Sequence, residues 1–437
     1  MTPPLTYFYF LVMLKYSQKS NRNSEQMKLK ILGSGREVGR SAILLEGKKN
    51  VMMDYGVKIE PPPPQYPKQE DADAAIISHG HLDHVGAVPL LCQKKKTHIF
   101  MNDITMELAA MLIRDSIKVA KKEGYGTPFS KKDVGKMIGC TKIVNYREKF
   151  RISDFTFTLW PSGHIPGSSS ILAENGKRIF YTSDIQATNS HLLNKCQLPQ
   201  GVDMLIIEST YGLRERKDRE IIEKEMINSV EEALARDETV LLPVFAVGRA
   251  QEVLMILEPY ANKIALDGMT RIASEIVAEY GSYLRDPKSL RNLLRKVKIV
   301  KNAAERAKII KKYPIIISSA GMLGGGPAVH YLREISKQKG SKVVFTGFLV
   351  EDTPGRNLIE NKIFKNAEEE FDVHCDLHQF ELSAHADRKG LLEIIKHTNP
   401  KTVICVHGDQ CDKFAKSIEE HLGIEAFAPR NGESIKV

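Results

Sequence analysis

Between positions 79 and 84 the chain reads His79-Gly-His81-Leu-Asp83-His84, three imidazoles and a carboxylate within six residues. Borderline divalent cations favour imidazole and carboxylate donors, so the pattern is that of a metal site. The chain holds 13 histidines in 437 residues, and three in six is a local excess that ordinary polar loop composition does not explain. Further candidates follow at long intervals. His164 lies in Pro161-Ser-Gly-His164-Ile-Pro-Gly167, where the glycines permit an unusual backbone path; a structural histidine and a ligand both fit. Asp184 closes Tyr181-Thr-Ser-Asp184. If His79 and His81 bind one ion and Asp83 and His84 another, a shared carboxylate at Asp184 is an economical bridge between ions about 3.5–4 Å apart. Asp54 reads either as a turn former or as a group that orients a ligand imidazole from behind. Glu208, in Glu208-Ser-Thr-Tyr-Gly212, His385, in Ser383-Ala-His385-Ala-Asp387, and His407, in Val406-His407-Gly-Asp409, repeat one device: a chemical group just after an apolar run.

The elements that must position these groups are strands. Residues 74–77 form a short apolar run directly before the histidine cluster, and runs at 28–32, 41–45 and 50–53 precede it around glycines 33, 35 and 39. Strands are expected at 155–159, 178–182 and 204–207, and helices at 88–96 and 104–122. The proline run 61–64 marks an exposed loop. Lys94 to Lys96 and Lys118, Lys121 and Lys122 read as solvated surface. Beyond residue 210 the character changes: a charged helical stretch at 214–236 opens an α/β unit with strands at 239–244, 264–266, 297–300, 315–318 and 343–347. Helices are expected from Gly248 to about residue 260 and at 272–284. Two of its loops suit phosphate. Gly248-Arg249 lies at a helix start, where unpaired amides and a guanidinium favour an anion. Ser318, Ser319 and Gly321 lie in a glycine-rich turn before a helix starting near Ala328, where His330 reads as packing or surface. Runs at 377–382 and 402–406 then end in histidine again, with a helix at 412–421. This suggests that the last segment rejoins the first sheet and that the middle unit is an insertion.

At 437 residues the chain is long enough for two or three domains. The expected division is a disordered extension at 1–26, with Met27 as the alternative natural start, a first domain at 27–209 completed by 376–437, and an inserted domain at 210–375. The six cysteines are scattered, which speaks against zinc clips and disulfide scaffolds and for a reducing cytoplasm. The apolar run at 5–14 lacks a basic flank and a cleavage site and is too short to span a bilayer; no membrane segment is expected. The formal charge of +9 favours a polyanionic partner.

Taken together, His79-x-His81-x-Asp83-His84 with Asp54, His164 and Asp184 resembles the ligand series of the metallo-β-lactamase fold. The Glu208, His385 and His407 segments resemble the further motifs of its β-CASP branch of nucleases. Pro243-Val-Phe-Ala-Val-Gly-Arg-Ala-Gln251 and Tyr181-Thr-Ser-Asp184 are most similar to the cleavage and polyadenylation endonuclease group with its archaeal relatives. The resemblance runs from about residue 27 to 437. It implies an αββα metallo-β-lactamase sandwich carrying an inserted α/β β-CASP domain, and two Zn2+ ions, with Mn2+ as a possible substitute. It implies that His79, His81 and His164 hold one ion and Asp83, His84 and His407 the other, with Asp184 bridging and Asp54 supporting. His385 would protonate the leaving oxygen and Glu208 would orient it; Asp83 is also grouped with the catalytic residues. A histidine at 407 goes with RNA in this family. The implied activity is endonucleolytic hydrolysis of single-stranded RNA in 3′-end processing or decay. A 5′ to 3′ exonuclease like ribonuclease J is the alternative, and an inactive RNA-binding scaffold the alternative of another class. A homodimer and a place in an RNA-processing complex are implied as partners. Loss of the chain before His407 is expected to cost the second ion.

Overall fold

The structure is a computed structural model that describes residues 27–60, 62–93 and 97–437. The apolar run at 5–14, Pro61 and Lys94 to Lys96 lie outside the described residues, and with them the far end of the helix expected at 88–96, of which Val88–Leu91 is helical.

Two seven-stranded sheets pack face to face. The first has the spatial order Ser434–Lys436, Lys28–Gly33, Ala42–Glu46, Val51–Met53, Ala74–Ile76, His98–Met101, Thr141–Ile143. The second runs Glu425–Phe427, Thr402–Val406, Met204–Glu208, Arg178–Tyr181, Ser169–Glu174, Phe155–Pro161, Lys149–Ile152. Strand alternation explains the packing, since side chains at every second position share a face. Leu29, Ile31, Ile43 and Leu45 of the first sheet meet Phe155, Phe157, Leu159 and Ile171 of the second in one apolar layer. The other faces are covered by helices, Asp103–Lys122 and Lys131–Cys140 on the first sheet, Arg388–Thr398 and Cys411–Leu422 on the second. This is the expected αββα sandwich.

The third sheet is six-stranded and parallel throughout: Lys298–Ile299, Ile264–Asp267, Ile315–Ser318, Val240–Pro243, Lys342–Phe345, Asp376–Gln379. Parallel strands need crossovers and burial on both faces, and two separate apolar clusters flank this sheet. Chain order reverses about Val240–Pro243, and the segment that follows this strand carries Gly248 and Arg249 to a recess shared with His164 of the sandwich.

One expectation is corrected. The sequence pattern places the strand at 377–382 in the segment that rejoins the first sheet, but Asp376–Gln379 pairs in parallel with Lys342–Phe345 inside the inserted sheet. An apolar run before a histidine has the same sequence signature in either sheet, so only pairing separates them. The chain re-enters the sandwich after it, through Thr402–Val406 beside Met204–Glu208, and ends by pairing Ser434–Lys436 with Lys28–Gly33 of the first sheet. The charged stretch at 214–236 is helical only over Arg219–Leu234, and the helix expected at 272–284 covers Met269–Glu279.

Candidate metal centre

The histidine loop leaves Ala74–Ile76 and turns into the one-turn helix Leu82–Val85. Gly56 makes that turn possible, because a Cβ there would lie 1.7 Å from the Asp83 carbonyl oxygen. The remaining donors arrive from strand ends in tight turns: Asp54, Ser183 before Asp184, and His407 all have φ between 49° and 58°, the left-handed region that side-chain-bearing residues avoid. At about 1–3 kcal/mol each this is a real cost, and it is matched by burial of a few apolar side chains in the sandwich at about 1.5–3 kcal/mol each.

The candidate ligand atoms converge in two groups that share Asp184, and a third group, Asp184 with Glu208 and His385, adjoins them. His79, His81, His164 and Asp184 form one, Asp83, His84, Asp184 and His407 the other, with all ligand atoms of a group within 4.8 Å of one another. Asp184 divides its carboxylate between them. Its Oδ2 lies 3.5 Å from His79 Nε2 and 3.4 Å from His164 Nε2. Its Oδ1 lies 3.2 Å from His84 Nε2 and 3.5 Å from His407 Nδ1. Asp83 Oδ2 sits 3.2 Å from His407 Nε2.

The surrounding hydrogen bonds decide which nitrogen each ring offers. His84 Nδ1 donates to Asp54 Oδ2 at 2.7 Å, and His164 Nδ1 donates to the Ala384 carbonyl at 3.1 Å. The Ser78 hydroxyl donates to Asp54 at 2.8 Å and accepts from His79 Nδ1 at 3.0 Å. Each ring thereby turns a bare Nε2 lone pair inward. Asp54 is fully buried and also accepts from Tyr181 Oη at 2.9 Å and from the Ser78 amide at 2.7 Å. Of its two readings in the sequence, the group that orients a ligand from behind is the one with this geometry.

The electrostatics of the cluster suit a cation. Burial drives the charged form of His79 and His164 out, helped by neighbouring imidazoles, so both sit well below the ordinary histidine range. Burial acts the same way on His84, but Asp184, Asp83 and Asp54 outweigh it and hold that ring well above its usual value. Burial opposes ionisation of Asp83 too, and His84 and His407 overcome it to hold the carboxyl low. His79 Nε2 and Asp184 Oδ1 are buried without a hydrogen-bond partner among the described residues. Orphaned lone pairs from nitrogen and oxygen donors, grouped around clustered carboxylates, fit zinc.

Beside the cluster, Glu208 Oε1 and Oε2 lie 2.9 Å and 3.0 Å from His385 Nδ1, and His385 Nε2 faces Asp184 at 4.0 Å. Two residues that sequence reasoning missed hold the backbone of the loop that carries this ring. Gln186 Nε2 donates to the carbonyls of Ser383 at 3.2 Å and His385 at 3.1 Å, and Arg216 donates to the His385 carbonyl from the other side. Gln186, two residues beyond Asp184, carries no signal of its own, and Arg216 was hidden within a run read as charged helix.

Of the residues expected to meet phosphate, the structure brings one to the centre. Arg249 lines a narrow recess with His164, Gln186, Arg219 and Ser383. Its guanidinium has no ion-pair partner among the described residues, and burial together with the charge of Arg219 lowers it to about 10. The free amides expected beside it are absent. Gly248 N donates to Gln251 Oε1 at 2.7 Å, Arg249 N to the Val247 carbonyl at 3.0 Å and Ala250 N to the Phe245 carbonyl at 3.1 Å. Ser318 and Ser319 turn inward: the Ser318 hydroxyl donates to the Ser319 carbonyl at 3.3 Å, and Ser319 Oγ accepts from the Met269 amide at 3.0 Å. Gly321 packs against Phe245, with Cβ space limited to 3.0 Å from the Phe245 nitrogen. A turn at the end of a buried strand spends its polar groups on itself before it can offer them to a ligand.

Comparison with known proteins agrees with this geometry. Residues 250–358 match the Beta-Casp domain family, residues 370–429 the Zn-dependent metallo-hydrolase RNA specificity domain, and residues 27–213 the family described as anti-Pycsar protein Apyc1. The chain is 35% identical to a probable RNase MJ4 of Methanocaldococcus jannaschii over 94% of its own length and all of that protein. It is 32% identical to RNase aCSPSF2 of Saccharolobus solfataricus, over 94% of this chain and 85% of that one. An RNase J-like protein of Methanocaldococcus jannaschii is also 32% identical, over 94% and 99%. A solved Enterococcus faecalis protein of unknown function shares the fold with a TM-score of 0.60 at 15% identity, covering 94% of this chain and all of that one. Among the described residues no helix is long and apolar enough to cross a membrane.

Proposed function

The chain belongs to the β-CASP metallo-β-lactamase ribonuclease family, and from that premise we propose that it is an endoribonuclease that cuts single-stranded RNA with two zinc ions. The carrying observation is the division of Asp184, whose two oxygens face two different sets of imidazoles. His79, His81 and His164 would hold one ion, and Asp83, His84 and His407 the other, with Asp54 fixing His84. When bound, such ions activate water and neutralise charge developing on the phosphate.

The protein's own groups supply the rest. His385, held by Glu208, donates a proton to the leaving oxygen through Nε2, while Glu208 fixes the tautomer by occupying Nδ1. Gln186 and Arg216 hold the backbone of that loop against recoil. Arg249 lines the recess beside Arg219, whose charge Glu252 and Glu223 engage, and makes no ion pair of its own among the described residues, so it suits a phosphate of the substrate strand. The recess between the sandwich and the inserted unit favours single strands, whose flexible backbone can be drawn into it. RNA 3′-end processing or decay, within a larger complex or as a homodimer, is the role this chemistry fits.

A 5′ to 3′ exonuclease is the competing reading, supported by the RNase J-like relative. Cleavage of a circular RNA compared with a linear 5′-monophosphorylated one, with zinc content measured on the same preparation, separates the two. Cutting of the circle at two zinc ions per chain is expected. Survival of the circle while the linear RNA is degraded from its 5′ end would refute the endonuclease.

A further inference from the structure

Away from the metal centre, the outer face of the second sheet carries a depression of about 360 Å3 lined by Arg147, Lys149, Thr158, Trp160, Glu174 and Arg178. Three independent features set it apart. Trp160 is the single tryptophan of the chain, and the Arg147 guanidinium lies over its ring 3.2 Å from the centroid. That guanidinium is held in place by Gln197 Oε1, at 3.2 Å from Nε and 2.7 Å from Nη2. Thr158 is only 5% exposed, yet its hydroxyl has no hydrogen-bond partner among the described residues, and neither has Trp160 Nε1. Both atoms lie beneath the floor of the depression, so the chemistry it offers a ligand is that of the exposed Arg147 guanidinium and Lys149 ammonium. The charge is one-sided: the single carboxylate of the lining, Glu174, is engaged by Arg178 at 3.2 Å, while Arg147 and Lys149 are exposed.

The depression and the active centre are near neighbours along the chain. Trp160 precedes the candidate ligand His164 by four residues, a stretch that spans at most about 14 Å. An RNA strand leaving the recess crosses that distance within a few nucleotides.

We infer that this depression is an exosite for single-stranded RNA, where an unpaired base stacks on the Arg147–Trp160 pair and Lys149 meets a neighbouring phosphate. Unpaired bases stack on guanidinium planes as they do on aromatic rings, and the Trp160 ring backs the Arg147 guanidinium and leaves its outer face to a base. The exposed cations supply the affinity for a polyanion. The inference rests on the reading of the substrate as RNA.

The lone tryptophan gives the test a direct reporter. The full chain carrying His385→Ala, loaded with zinc, is titrated with a long oligouridylate and with a tetranucleotide, and binding is followed by anisotropy of the labelled RNA. Trp160 fluorescence should change in step with binding of the long RNA and stay constant with the short one. In the otherwise unaltered enzyme, Arg147→Glu with Lys149→Glu should raise KM for long RNA roughly ten-fold, with kcat and cleavage of short substrates unchanged. Binding of long RNA with no change in Trp160 emission, or an unchanged KM in the double variant, would overturn the exosite and leave the ribonuclease reading standing. A chain that neither binds nor cuts RNA would overturn both.

Discussion

A histidine that protonates a leaving oxygen at neutral pH must still carry its proton there, and the neighbours of His385 meet that condition. Burial favours its neutral ring, but the Glu208 carboxylate, and Asp184 behind it, outweigh burial and raise the group to about 9. The sign follows. A raised pKa keeps the acid loaded below about pH 9 and unloads it above, so kcat should fall on the alkaline side. Glu208→Gln removes the attraction, lowers the pKa, and should move that alkaline limb to lower pH; bound cations lower both proteins' limbs alike and leave the difference. A pH profile of kcat whose alkaline limb is the same in both proteins would dismiss this role. At this scale the sequence was informative about donors and poor about their supporters. His79, His81 and Asp184 stand out by type and spacing, whereas Ser78 and Tyr181 matter only because the fold carries their hydroxyls to Asp54.

At the scale of elements, the centre is a meeting of loops at strand ends. Loops are held by backbone hydrogen bonds to distant partners, which no local pattern announces. The His385 loop is tied to the Asp184 loop three times: Ala386 N donates to the Ile185 carbonyl at 2.7 Å, and Gln186 Nε2 to the carbonyls of Ser383 at 3.2 Å and His385 at 3.1 Å. Since the His164 ring also leans on Ala384, the loop that carries the acid supports a candidate metal ligand as well. Gln186→Ala should therefore lower kcat by about 10–100-fold, the usual range for groups that orient ligands from behind. KM and the melting temperature should change little. A variant with wild-type kcat would show that the loop holds its place without Gln186. The same scale explains the misplaced Ser318 and Ser319. The sequence shows a glycine-rich turn before a helix, and only the strand's depth in the sheet decides that the hydroxyls face inward.

For the whole molecule, the last forty or so residues close the fold at both sheets. Thr402–Val406 lies between Met204–Glu208 and Glu425–Phe427 in the second sheet, and Ser434–Lys436 completes the first. Deleting 399–437 removes an interior strand with its fully buried Val403, Ile404, Cys405 and Val406. The expected loss is then larger than one ion: no cooperative thermal transition and rapid proteolysis. His407→Ala keeps the strand and should lose zinc from the second group alone, read as metal content at an almost unchanged melting temperature. A fragment ending at 398 that melts cooperatively would show that the sandwich closes without its final strands.

By itself the sequence determined the chemistry and the architecture. Residue types set which cations are favoured, alternating apolar runs set an α/β chain with a middle unit as an insertion, and the resemblance of its motifs implied the sandwich. Tertiary structure alone decided which lone pairs face inward, which strand before a histidine belongs to which sheet, and that Arg249 faces the centre while the Ser318 hydroxyl does not. The reason is physical. Ligand preference and strand periodicity are properties of the residues themselves and their near neighbours. Burial, tautomer and register depend on contacts between segments far apart in the chain, as between Asp83 and His407, which exist only once the last strand is in place.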